Sequence, residues 1–164
     1  MRGCYKLKFL KKEPTMRVRK VWDFVVESRM SPKKVLAGVT DFGKRRPDYW
    51  PAISSKQYRV YELGPTSAYV REGTGPMWTD ERYDWSKPGV IRSVIQKSNL
   101  FFPGGVWECH IAPGADGGSH IEVHMERDYQ GLIGLFGSTY IALRGGASFF
   151  QKDFIYMLDS VNSQ

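Results

Sequence analysis

Between Gln57 and Arg127 the chain is cut at short intervals by turn-forming pairs: Gly64-Pro65, Gly75-Pro76, Pro88-Gly89, Pro103-Gly104 and Gly117-Gly118. The pieces left between them, "QYRVYELG", "SAYVREGTG", "WTDERYDWSKPG", "VIRSVIQKSN", "VWECHIAPG" and "SHIEVHMERDY", are strand-length and rich in β-branched and aromatic residues. Parallel neighbours would need a crossover of a dozen or more residues between them. None of these connections is that long, so the six strands are expected to form an antiparallel meander.

The flanks complete the pattern. "VWDFVVESRM", Val21 to Met30, alternates Trp22, Phe24 and Val26 with Asp23, Val25 and Glu27, which predicts a further strand with one apolar face. Ser31 and Pro32 then supply a cap and a first-turn proline for a short helix carrying Val35, Leu36, Val39 and Phe42. Pro47 opens about one more turn, which Pro51 ends. After the meander, "GLIGLFGSTYIALRGGASFFQKDFIYMLDSV" takes up helical spacing, with Phe150, Phe154, Met157, Leu158 and Val161 in one stripe. Gly131, Gly134 and Gly137, then Gly145 and Gly146, cost helical stability and predict a bent or interrupted approach to that helix.

The expected fold class is therefore α+β: a curved antiparallel seven-stranded sheet around a long C-terminal helix, with two short helices after the first strand. The terminal helix is the only large apolar element available to cover the sheet's apolar face. A sheet curved around it leaves room for a cavity between them. Five Trp, nine Tyr and nine Phe in 164 residues provide aromatic lining for a core or pocket.

Charge and cysteine content narrow the functional classes. Of the net +7, +4 lies in residues 1–15, where Arg2, Lys6, Lys8, Lys11 and Lys12 face Glu13 alone. These residues read as a basic leader, disordered or in weak peripheral contact with a membrane, followed by a single domain over 16–164. The rest of the chain carries no basic stripe that would mark a specific nucleic-acid partner. Two cysteines, Cys4 and Cys109, make no disulfide framework and point to the cytoplasm, and no apolar run is long enough to span a bilayer.

The order of elements, together with "DYWP" after the first helix, "ERYDWSKPG" in mid-sheet, "FFPGGVWE" before the next-to-last strand and "GGSHIEVHMER" at the last, resembles the START-like superfamily. It is similar in particular to the bacterial polyketide cyclase/dehydrase and lipid-transport proteins of that group. The resemblance covers about residues 21–161 and implies a helix-grip fold whose cavity takes a lipid, polyketide or similar molecule. It transfers no catalytic residue, because no fixed catalytic motif matches these positions. Function has to be argued from the site.

Period-two alternation selects the candidates. In "SHIEVHMERD", Ile121, Val123, Met125 and Arg127 share the apolar register, and His120, Glu122, His124 and Glu126 the other. The histidines then face water, and no metal or cofactor is expected. Arg127 either holds an anionic or enolate head group or pairs with a surface acid such as Asp128 or Glu126. Glu72, in register with Ala68 and Val70, is a candidate acid/base and a candidate partner for Arg127. Glu81, Tyr83 and Trp85 alternate onto one face, which makes Tyr83 and Trp85 cavity or core groups. Trp50, Trp107, Phe150 and Phe154 are further lining candidates. Cys109 and His110 are adjacent on a strand and point to opposite faces, so they form no nucleophilic pair.

Two functions are open at this level. One is a binding protein for a small hydrophobic ligand, with Arg127, Glu72 and Tyr83 fixing its orientation. The other is a cyclase or dehydratase acting on a polyketide-like substrate in the same cavity, with Glu72 or a histidine as acid/base and Arg127 stabilising an enolate.

Overall fold

The computed structural model describes residues 17–163. The basic leader lies outside the described residues, as does Cys4. Seven antiparallel strands form one sheet: β1 (Arg17–Ser28), β2 (Arg59–Leu63), β3 (Ser67–Thr74), β4 (Met77–Asp84), β5 (Val90–Ser98), β6 (Val106–Pro113) and β7 (Ser119–Gln130). Their order across the sheet is β1-β7-β6-β5-β4-β3-β2. The meander from β2 to β7 thus pairs each strand with its sequence neighbour, and β1 closes against β7. Helices α1 (Pro32–Val39) and α2 (Arg46–Tyr49) follow β1, and α3 (Gly131–Leu143) and α4 (Ala147–Asn162) follow β7.

Strand β1 begins four residues before the expected Val21. The reason is its partner: Arg17 to Ser28 pair in unbroken register with Gln130 to Ser119, so the end of β7 supplies hydrogen bonds for residues whose own alternation carries little signal. At the opposite edge all five residues of β2 are exposed, and Arg59 and Glu62 place charge on the free edge.

The concave face of the sheet receives Phe24 and Val26 from β1, Ala68 and Val70 from β3, Ile91 from β5, Trp107, Cys109 and Ile111 from β6, and Ile121, Val123 and Met125 from β7. Helix α4 lays Phe154, Met157 and Leu158 onto this face, all nearly or fully buried. Helix α1 packs beside it, and Gly38 lets the helices approach, since a Cβ there would stand 3.2 Å from Val161 Cγ1. Gly145 and Gly146, with φ of +98° and +58°, form the break between α3 and α4. Side chains other than glycine seldom adopt these angles.

Candidate functional site

The concave face is apolar except at its centre and one end, where β3, β4, β5 and β7 turn Glu72, Glu81, Tyr83, Ser93 and Arg127 inward. Arg46 reaches them from the opposite side. Its position follows from local chain geometry: Pro47 starts the single turn of α2, and the guanidinium is drawn back under the α1–α2 connection, where it donates to the carbonyls of Val39 (2.8 Å) and Asp41 (3.1 Å). Arg46 Nε then donates to Glu72 Oε1 at 2.6 Å. The guanidinium lies 4.3 Å from the ring centre of Phe42, 5.3 Å from Trp50 and 5.7 Å from Tyr83, within cation–π range of all three. Burial works against the cation, but Glu72 and Tyr83 outweigh it and hold its pKa above the usual arginine value.

Glu72 accepts a second hydrogen bond, from the Tyr83 hydroxyl at 2.9 Å. Burial, reinforced by Glu72 and Glu81, pushes the Tyr83 phenol well above its ordinary range, so it stays a donor. A second pair lies beside the first. Arg127 approaches Glu81 at 3.4 Å and also donates to the Glu126 backbone carbonyl at 3.1 Å. Ser93 Oγ donates to the other Glu81 oxygen. Burial pushes the Glu81 carboxyl up, Arg127 pulls it down, and the Glu72 charge adds to the upward push. Glu72 and Arg46 also act on Glu81 electrostatically, so the two pairs influence one another.

This arrangement settles two open points. Arg127 is buried on the concave face and pairs with neither the Asp128 nor the Glu126 carboxylate, which go to Arg17 and to Arg19. Glu72 is also inward, but its partner is Arg46 rather than Arg127. Arg46 gave no sequence signal: it sits in "KRRP" beside Arg45, whose side chain is 64% exposed. Glu81 was legible, because it shares the alternation of Tyr83 and Trp85.

The aromatic candidates divide into groups. Trp50, Trp107 and Phe154 meet in the interior, with ring centres 5.8 Å apart for Trp50–Phe154 and 6.4 Å for Trp107–Phe154. Tyr83 joins them through Trp107 at 6.5 Å. Met125, opposite Trp107 on β7, is buried against the same cluster. Trp85 stacks on Phe42 at 5.6 Å, nearer the rim. Phe150 is apart from these, against Trp22 at 5.1 Å. Trp50 Nε1 is buried and finds no hydrogen-bond partner among the described residues. An unpaired buried donor costs roughly 1–3 kcal/mol, so this indole N–H is a ready site for an acceptor atom.

These rings occupy the space between the sheet and α4. A cleft of about 510 Å³ opens at its rim, lined by Phe42, Gly43, Lys44, Pro47, Tyr58 and Arg59 among others. Phe42 faces this cleft and also packs on Tyr83 (4.9 Å) and Arg46, so one ring stands between the cleft and the buried cluster. Tyr58 donates to the Phe42 carbonyl at 2.9 Å and pins that ring's backbone.

On the outer face each histidine lies among carboxylates. His120 bonds Glu27, His124 bonds Asp23 at 2.7 Å, and His110 bonds Glu108 at 2.6 Å. The strand alternation thus sends His120 and His124 away from the core, as expected, and among the described residues no group of three or more His, Cys, Asp or Glu could hold a metal ion. Cys109 is fully buried, with its thiol pushed up to about 12 by desolvation, while His110 points outward. Among the described residues no helix is long and apolar enough to cross a membrane.

No protein-family model matches the sequence, and no curated protein is significantly similar to it. Solved structures do match the fold. Norcoclaurine synthase from Thalictrum flavum is 12% identical over 100% of this chain and 97% of its own, with a TM-score of 0.64, and it has also been solved in complex with dopamine and hydroxybenzaldehyde. The Zhui aromatase/cyclase from Streptomyces sp. R1128 is 11% identical over 88% of this chain and 94% of its own, with a TM-score of 0.65. A START superfamily protein from Mycobacterium smegmatis is 14% identical over 80% of this chain and 97% of its own, with a TM-score of 0.56.

Proposed function

From the premise that this chain has the START-like, helix-grip fold, we propose that it is a cytoplasmic protein that binds a small hydrophobic molecule, one with a ring and a polar oxygen, between the sheet and α4. The observation that carries this reading is the unpaired Trp50 N–H beside the Arg46–Glu72–Tyr83 triad, within a wall of aromatic rings. A core built only for stability gains little from buried ion pairs, which apolar residues of equal volume match or exceed. A binding site uses such groups to orient a ligand whose affinity comes from apolar burial. Trp50 and Tyr83 would meet ligand oxygens, Trp107, Met125 and Phe154 its apolar body, and Glu72 and Arg127 would hold the polar end in register. Phe42 and Trp85 mark the way in from the rim cleft, with the α1–α2 connection as the part that moves. Phe150 would flank the far end.

The likeness to norcoclaurine synthase, with its two small aromatic ligands, and to an aromatase/cyclase supports the ligand class by analogy of fold. The test is native mass spectrometry of freshly purified protein, followed by denaturation and identification of what is released. One bound apolar molecule per chain, lost in Trp50→Phe/Glu72→Gln, is the expected result. An apo mass together with no thermal shift from a panel of phenols, flavonoids, polyketides and lipids would sink the reading.

A second reading is favoured by one feature, the Glu81 carboxyl that burial pushes up. A buried carboxyl whose pKa is raised holds a proton more readily than an ordinary one and would deliver it to a carbonyl oxygen while an arginine stabilises the enolate, as a cyclase or dehydratase needs. Turnover of a poly-β-carbonyl substrate by the parent chain and its loss in Glu81→Gln would establish that enzyme. Absence of turnover in the parent leaves the carrier.

A further inference from the structure

Helix α3 is packed the wrong way round for an ordinary surface helix. Its buried positions are Gly134 and Ser138, with Gly137 half-buried beside them. A Cβ at Gly134 would stand 3.0 Å from the Tyr129 backbone, and one at Gly137 would stand 3.1 Å from Leu100 Cδ1, so the helix lies tight on the sheet through its small residues. Its large apolar side chains point outward: Leu132, Ile133, Phe136, Tyr140 and Leu143, with Phe136 72% and Leu143 83% exposed. A contiguous apolar face of this kind marks a surface that is covered in use.

Charge identifies the cover. From Tyr129 to Lys152 the sequence has two basic residues, Arg144 and Lys152, and no acidic one. Arg17, the first described residue, pairs with Gln130, the residue before α3, and five Lys/Arg precede it in the sequence. A second copy of a chain of net charge +7 would bring two such basic segments together, whereas an anionic surface would attract both. At 13 residues α3 is too short to cross a bilayer but suited to lie in its interface.

We infer that α3 docks the protein on anionic phospholipid bilayers. The apolar side chains enter the acyl boundary while the lysines and arginines engage the headgroups; either signal alone gives marginal binding, and both together give stable attachment. This inference is independent of the interior site.

The test is flotation of the full chain with phosphatidylcholine vesicles, with and without phosphatidylserine, at low and high salt. Binding is expected only with phosphatidylserine, and it should weaken as salt rises. Phe136→Ser/Leu143→Ser, whose exposed positions leave the fold intact by its melting curve, should bind about ten-fold or more weakly. Lys6→Ser/Lys8→Ser/Lys11→Ser/Lys12→Ser should lose the salt dependence together with most of the binding. Failure of the parent to float with anionic vesicles at low salt, or equal binding by the Phe136/Leu143 variant, overturns the inference. So does a concentration-dependent dimer that the same variant abolishes in a protein that ignores vesicles, because α3 would then be a self-association face.

Discussion

Arg46 and Glu72 show how far a single side chain can be read from its sequence. Glu72 lies on the apolar register of β3 and is legible as an inward carboxyl; its partner comes from another element, and only the folded chain brings the two within 2.6 Å. Removing one member of a buried pair strands the other, so Arg46→Met is expected to cost about 3 kcal/mol or more in urea unfolding. Arg46→Met/Glu72→Leu should recover most of that loss, and failure to recover would mean that Arg46 stabilises chiefly through the Val39 and Asp41 carbonyls.

The outer face makes a different prediction at the same scale. The hydrogen bond that His124 donates to Asp23, with help from Glu126, raises the His124 pKa against a smaller opposing effect of burial. A histidine whose folded pKa is raised binds its proton more tightly in the folded state. Its stabilisation is complete below the ordinary value of about 6.5 and fades as pH rises through the folded value. Melting curves of the parent and His124→Gln should therefore diverge at acid pH and converge at alkaline pH. A difference that grows with pH would contradict the pairing.

At the scale of elements, the strands and helices follow local signals closely because turns and apolar periodicity are local. Breaks within elements do not. Pairing of β4 with β5 shifts register between Asp80 and Glu81, an irregularity that no residue type announces and that coincides with burial of both carboxyls. Gly73 is another such point: a Cβ there would stand 2.1 Å from the Met77 carbonyl oxygen and 2.7 Å from Trp78 Cα, both backbone atoms that cannot turn aside. Gly73→Ala should cost about 3 kcal/mol by denaturant titration, and a neutral result would show the β3–β4 hairpin to be looser than this geometry. Phe154→Ala removes the ring on which Phe24, Trp50 and Trp107 converge and should cost about 3–5 kcal/mol. If that variant also takes up small aromatic molecules detectable by thermal shift, the vacated space is continuous with the proposed site.

For the molecule as a whole, β1 is paired with β7 along the whole of Arg17–Ser28. We propose that the basic leader is separable from the fold. Deletion of residues 1–15 should leave the melting temperature within about 2 °C of the parent and diminish binding to anionic vesicles. A large drop in melting temperature would mean that the leader packs on the domain.

The sequence by itself determined the antiparallel sheet, the two helices after its first strand, the interrupted C-terminal helical region and the inward alternation of Glu72, Tyr83 and Arg127. Those features rest on turn chemistry and on periods of two and 3.6, which neighbouring residues decide among themselves. The partner of each buried charge, the choice of Arg46 over Arg45, the orphaned Trp50 N–H and the outward turn of α3's large side chains were decided by tertiary structure alone. They depend on which surfaces distant segments present to one another, and a buried charge or an apolar face takes its meaning from what lies across from it.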